Sequence, residues 1–98
     1  MKHMYLSNFA ATDAFNKATQ AELNNYFTKM KENGAKHGFD VVFWGNPWGV
    51  IESGSFAIIS EKSLDKYIEW RGIWGQEAAK QKLPTYYTAA NTLTITSF

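Results

Sequence analysis

Apolar residues recur at every second position in four stretches of this chain and at every third or fourth in two, and those two periods predict its elements. In the central stretch, Phe39, Val41 and Phe43 fall on one face of an extended segment and Val42 and Trp44 on the other. After Gly45-Asn46-Pro47-Trp48-Gly49, rich in turn-forming residues, the chain resumes as Phe56-Ala57-Ile58-Ile59. Both strands are apolar on two faces. A sheet roofed by helices on one side alternates apolar with polar, so a two-faced sheet implies a second cover.

His3 to Phe9 reads as an earlier strand, with Met4 and Leu6 on one face and His3, Tyr5, Ser7 and Phe9 on the other. A helix follows, with Thr12-Asp13 as an early start and Thr19-Gln20-Ala21-Glu22 as a capping box. Leu23, Tyr26, Phe27, Met30 and Gly34 form its apolar stripe, and Gly38 ends it. A second helix begins at Ser63 and stops before Pro84. Leu64, Tyr67, Ile68, Arg71, Gly75 and Ala78 share one of its faces, and Gly72 with Gly75 predicts a close backbone approach or a break. Thr92 to Phe98 is the last strand.

The order strand, helix, strand, strand, helix, strand predicts one α+β domain over residues 1–98. It is ferredoxin-like, with a four-stranded antiparallel sheet and two helices on one face. The bare face is too apolar to stand in water, which predicts a homodimer packed sheet to sheet.

Composition narrows the partners. With 98 residues and a net charge of +1, the chain shows no electrostatic footprint for nucleic acid or an anionic membrane, and it lacks the basic Gly-aromatic run of an RRM. No cysteine is present and no apolar run is long enough to span a bilayer, so the expectation is a soluble, cytoplasmic protein without disulfides. Two His and no Cys make no zinc site. Met1-Lys2-His3 has the spacing of an amino-terminal Cu²⁺ or Ni²⁺ chelate, a spacing common by chance. No Gly-rich phosphate loop or G-x-S-x-G occurs, and no cofactor is expected.

The candidate chemistry rests on a few residues. Arg71 is a cation on a core-facing stripe, suited to an anionic ligand or an enolate, unless Glu52 or Glu69 pairs with it. His37 is a base candidate, or a helix-end side chain bonded to a carbonyl. The chain is 16% aromatic, and Tyr5, Trp44, Trp48, Trp70, Trp74, Tyr86 and Tyr87 are candidate walls for a flat ligand.

In Phe39-Asp40-Val41-Val42-Phe43-Trp44-Gly45, Pro47-Trp48-Gly49 and Ser63-Leu64-Asp65-Lys66-Tyr67-Ile68, and in element order, the chain resembles the dimeric α+β barrel superfamily. That superfamily includes antibiotic-biosynthesis monooxygenases, EthD-like proteins and stress-responsive barrels. The resemblance implies a dimer with a cavity between sheet and helices, and no single reaction. Cofactor-free oxygenases and haem-degrading relatives use an early-strand Asn and a Trp near the cavity, matched here by Asn8 and by Trp70 or Trp74. Haem-binding relatives also use a late His, and no His follows His37. Two functions are therefore expected. The first is a dimeric barrel binding an apolar or aromatic small molecule, with cofactor-independent monooxygenase or isomerase chemistry carried by Arg71, Asn8 and His37. The alternative is a non-catalytic protein whose aromatics serve oligomer burial.

Overall fold

The computed structural model describes residues 1–46 and 52–98, with backbone only at 89 and 90. Its order is β1 (His3–Ala11), α1 (Asp13–Lys17), α2 (Gln20–Lys36), β2 (Asp40–Gly45), β3 (Ser53–Ser60), α3 (Leu64–Lys80) and β4 (Tyr87–Thr96). The strands form one antiparallel sheet in the order β2-β3-β1-β4. Four strands with the first and third at the centre and the helices on one face give the ferredoxin-like α+β fold.

Both expected helix starts occur, separated by a break at Ala18. Thr12 accepts from the Phe15 amide and caps α1, while Thr19 and Glu22 close a reciprocal capping box on α2. At the other end of α2, Phe39 N–H bonds Gly34 O and Gly38 N–H bonds Ala35 O, with Gly38 at φ +85°. This is a Schellman turn, and only glycine takes that φ without strain. Ser63 occupies the N-cap of α3, but its side chain makes no capping bond. Helix α3 runs unbroken through Gly72 and Gly75, where an added Cβ would meet nothing within 4 Å. Among the described residues, neither a break nor a close approach explains those two glycines. A close approach of helix to backbone occurs instead at Gly34, whose Cβ would come within 2.7 Å of Phe39 O and 2.9 Å of the Trp70 ring.

The inner face of the sheet carries Tyr5, Ser7 and Phe9 from β1, and Phe56 and Ile58 from β3. The outer face carries Met4, Leu6 and Asn8, with Ala57, Leu93 and Ile95 beside them. In β2 the expected alternation fails. Val41 pairs with Ile58 and Phe43 with Ala57, so Val42 is an extra residue in a β-bulge. Beyond the bulge the faces exchange: Trp44 turns inward against Phe27, and Phe43 turns outward, 70% exposed. The sheet is thus apolar on both faces, as its sequence predicts, with two members exchanged. No helix among the described residues is long and apolar enough to cross a membrane.

The core lies between the inner face and α2 and α3. Trp70, Trp74, Tyr5, Tyr67, Phe39 and Phe56 are its largest fully buried side chains. Each such ring removes about 150 to 250 Å² from water, roughly 4 to 6 kcal/mol at the extended-chain limit.

Candidate functional site

Helix α3 lays Tyr67, Trp70, Arg71, Trp74 and Ala78 toward the sheet. Four of these are buried; Arg71 is partly buried, because its neighbours are polar hydroxyls and aromatic faces rather than closed aliphatic packing. Its Nη1 donates to Ser7 Oγ and to Tyr67 OH, each at 3.2 Å. Ser7 Oγ is also 2.6 Å from Tyr67 OH and 2.9 Å from Thr92 Oγ1. The guanidinium carbon lies 4.7 Å from the Phe56 ring centroid and 5.8 and 5.9 Å from those of Tyr67 and Tyr87. The cation is thus held by hydroxyls and π-faces, which retain its charge without neutralising it.

Among the described residues no carboxylate pairs with Arg71. The two ion pairs are Lys31–Asp40 and Lys66–Glu69, so neither expected counter-ion, Glu52 or Glu69, serves it.

Arg71 borders a cleft of about 240 Å³ lined also by Tyr26, Trp74, Gly75, Tyr86 and Tyr87. The end of α3 shapes its rim. Leu83 N–H bonds Ala78 O and Lys82 N–H bonds Ala79 O, a second Schellman turn, here with a non-glycine residue, Lys82, at φ 59°. That turn sends Pro84 and Thr85 around the cleft, and β4 then starts at Tyr87. Inside, Trp74 Nε1 donates to Tyr26 OH at 3.1 Å, and Tyr26 OH donates to Tyr87 OH at 3.3 Å. Burial pushes the Tyr26 phenol far above its ordinary 10.0, reinforced by Tyr87. Burial also raises Tyr87, with the charge of Arg71 pulling the other way. Both are neutral donors near neutral pH.

A second cleft, of about 200 Å³, lies toward α1 and is lined by Phe9, Phe15, Leu23, Phe27 and Trp44, with Gln20, Asn24 and Asn46 at its polar margin. Among the described residues no ionisable side chain borders it, so there it offers shape without charge.

The expected site residues do not all converge. Arg71, Trp74 and Tyr86 share the first cleft with Tyr87. Trp44 belongs to the second, its Nε1 bonded to Asn24 Oδ1. Asn8 is on the opposite face of the sheet, donating to Asn91 Oδ1 and accepting from Ser55 Oγ, so it cannot act beside Arg71 within one chain. The even positions of β1 face outward, which settles this. His37 is the C-cap of α2 and lines a surface groove with Phe39, Lys62 and Trp70, away from Arg71. Trp70 bonds Asn33 and stacks on Phe39, and Tyr5 stacks on Tyr67 at 4.4 Å, so both pack the core. Trp48 lies outside the described residues. His3 Nδ1 is 2.9 Å from Thr96 Oγ1, and no cluster of three metal-ligating side chains occurs among the described residues.

Ser7, Tyr26 and Tyr67 were not singled out from the sequence. Tyr67 stands one turn before Arg71 on the same stripe, and Ser7 is the small polar residue in an otherwise aromatic buried set, two signals that could have found them.

Helices on one face, a sheet apolar on both and a cation-bearing cleft between the layers define a ferredoxin-like α+β protein. The chain is similar in structure to the protein YJCS, with a TM-score of 0.66 and 13% identity over 100% of both chains. It is also similar to an N-to-A variant of SnoaB, a cofactor-independent oxygenase from Streptomyces nogalater, with a TM-score of 0.62 and 13% identity over 98% of this chain and 92% of the other. At that identity the likeness establishes the fold. No protein-family model matches the sequence, and no curated protein does.

Proposed function

We propose that this protein binds a planar, acidic aromatic molecule in the Arg71 cleft and acts on it as a cofactor-independent oxygenase. One observation carries the reading: a partly buried guanidinium without a carboxylate partner among the described residues, set among aromatic walls. Binding the conjugate base of such a molecule supplies the missing anion, and the aromatic walls supply stacking surface. The SnoaB likeness supports the reaction type.

A reaction with O₂ that uses no cofactor needs electrons from the substrate itself, so the substrate must ionise. No carboxylate or imidazole borders the cleft among the described residues. Arg71 therefore acts by stabilising the anion and lowering the substrate's own pKa, rather than by removing the proton. An activated methylene that ionises adds O₂ and a proton to form a hydroperoxide. Loss of water then leaves a carbonyl, with one oxygen atom in the product and one in water.

The test is oxygen uptake with a panel of enolisable hydroxyaromatic ketones. Arg71→Ala should slow turnover about a hundred- to a thousandfold, the range for loss of one anion-stabilising donor. Unchanged uptake in the variant ends the assignment. A homodimer through the outer sheet face belongs to the same proposal, supported by the exposure of Phe43, Leu93 and Ile95 on it. The cysteine-free composition supports a cytoplasmic setting.

A further inference from the structure

The hydrogen bonds among the side chains beside Arg71 leave one O–H without an acceptor. The Trp74 indole N–H only donates, and it takes a lone pair of Tyr26 OH. Tyr26 and Tyr87 then share one hydrogen bond between two phenols that each carry a proton. Whichever phenol donates, one O–H is left over. Among the described residues no acceptor lies within hydrogen-bond reach of it. In the arrangement found, Tyr26 donates and the surplus proton is that of Tyr87. Arg71, whose guanidinium lies over the same ring, is acceptor-free by nature. The Tyr87 O–H, with no acceptor among the described residues, and a guanidinium that already donates through Nη1 to Ser7 and Tyr67 but has no anionic partner there thus border one cleft. The aromatic ring of Tyr87 is itself fixed, lying 4.8 Å from Phe9 and 5.7 Å from Phe56 between centroids, so its hydroxyl cannot swing away to find a partner elsewhere.

From this we infer that Tyr87 is a ligand-reading residue: its hydroxyl, oriented by Trp74 and Tyr26, joins Arg71 in binding a single deprotonated oxygen in the cleft. The ligand class follows from the donors. One cation and one phenol match the single oxygen of a phenolate or enolate, whereas a phosphate dianion calls for more cationic donors than the cleft holds. The volume of about 240 Å³ is below the roughly 300 to 1,000 Å³ of pockets for drug-sized ligands, which favours a small ring system. The inference rests on the proposed function of the same cleft and adds the residue that selects the anion.

The experiment uses 4-nitrophenol, whose conjugate base is read directly by its visible absorbance, titrated with the purified protein across its ionisation. The wild-type protein should bind the anion about tenfold more tightly than the neutral phenol, lowering the apparent pKa of the bound probe by about one unit. Tyr87→Phe keeps the ring and removes only the hydroxyl. It should cut that preference about threefold, the anion losing more affinity than the neutral form and Arg71 keeping the rest. Near-ultraviolet circular dichroism confirms that the aromatic core of the variant is intact. If Tyr87→Phe keeps the full preference, the hydroxyl does not read the ligand, although the Arg71 reading stands. If the probe binds wild type with equal affinity in both forms, the paired-donor assignment is wrong. If 4-nitrophenol does not bind at all, the cleft is no phenolate site, and both readings fall together.

Discussion

Arg71 is held in a way that separates its effects on stability and on binding. Ser7 and Tyr67 bond each other at 2.6 Å, so removing the guanidinium strands neither hydroxyl. What is lost is a contact with π-faces, worth about 0.5 to 2 kcal/mol, and two 3.2 Å hydrogen bonds to hydroxyls that keep each other as partners. Arg71→Met should therefore lower unfolding free energy in urea by no more than about 2 kcal/mol, while anion binding in the cleft falls by a larger factor. Tyr26 behaves in the opposite manner. It accepts from the Trp74 indole, which is only 1% exposed, so Tyr26→Phe orphans a buried N–H and should cost about 1 to 3 kcal/mol at neutral pH.

The same phenol makes stability depend on alkali. Its native pKa lies above the unfolded value of 10.0, so the native state holds the proton more tightly. That contribution is fully present below pH 10 and is lost as pH rises through the native pKa. Unfolding free energy should fall as pH climbs past about 10, and the fall should be shallower in Tyr26→Phe. A wild-type stability flat across that range contradicts the assignment. Arg71 was legible in the sequence because a cation interrupted an apolar stripe. Ser7 was not, since a serine on a strand has no local mark of the arginine it meets 64 positions later.

At the scale of elements, two helical glycines, Gly34 and Gly72, predict opposite outcomes. Gly34 lies where α2 meets the Phe39 carbonyl and the Trp70 ring, and a backbone oxygen cannot step aside. Gly34→Ala should destabilise by about 2 kcal/mol or more, even though alanine is the better helix former by about 1 kcal/mol. Gly72, with open space around it, should show the reverse. Gly72→Ala should raise the urea midpoint by the equivalent of about 0.5 to 1 kcal/mol. Lys82, at positive φ in the turn after α3, is a third case, and Lys82→Gly should add up to about 1 kcal/mol by relieving a left-handed backbone. The capping box at Thr19 and the glycine end at Gly38 were readable because they are local signals within one turn. The bulge at Val42 was not. A one-residue insertion is visible only against the partner strand, and it moved Phe43 outward and Trp44 inward.

The whole molecule presents a sheet with one roof. Phe43, Leu93 and Ile95 stand on the outer face at 70%, 54% and 46% exposure, and changing exposed side chains costs a lone chain little. A double substitution Phe43→Lys with Leu93→Lys should leave the unfolding transition of a monomer nearly unmoved. In the proposed dimer it buries unpaired charges at the contact. Sedimentation equilibrium should therefore show a dimer for wild type and a monomer for the variant. A wild-type monomer at micromolar concentration sinks the shared-sheet proposal.

By itself the sequence determined the order of strands and principal helices, the capping box at Thr19, the glycine end at Gly38 and the apolar character of both sheet faces, because periodicity, caps and turn glycines act over a few residues; it left the first helix's start open, which the structure resolves into two helices broken at Ala18. Only the tertiary structure decided which side chains meet. It put Asn8 and Arg71 on opposite sides of the sheet, sent Trp44 to a different cleft and brought Tyr26, Trp74 and Tyr87 into one hydrogen-bonded line. Periodicity assigns a residue to a face of its own element. Which elements then face one another, and at what register, is set by strand pairing and by packing between residues far apart in the chain.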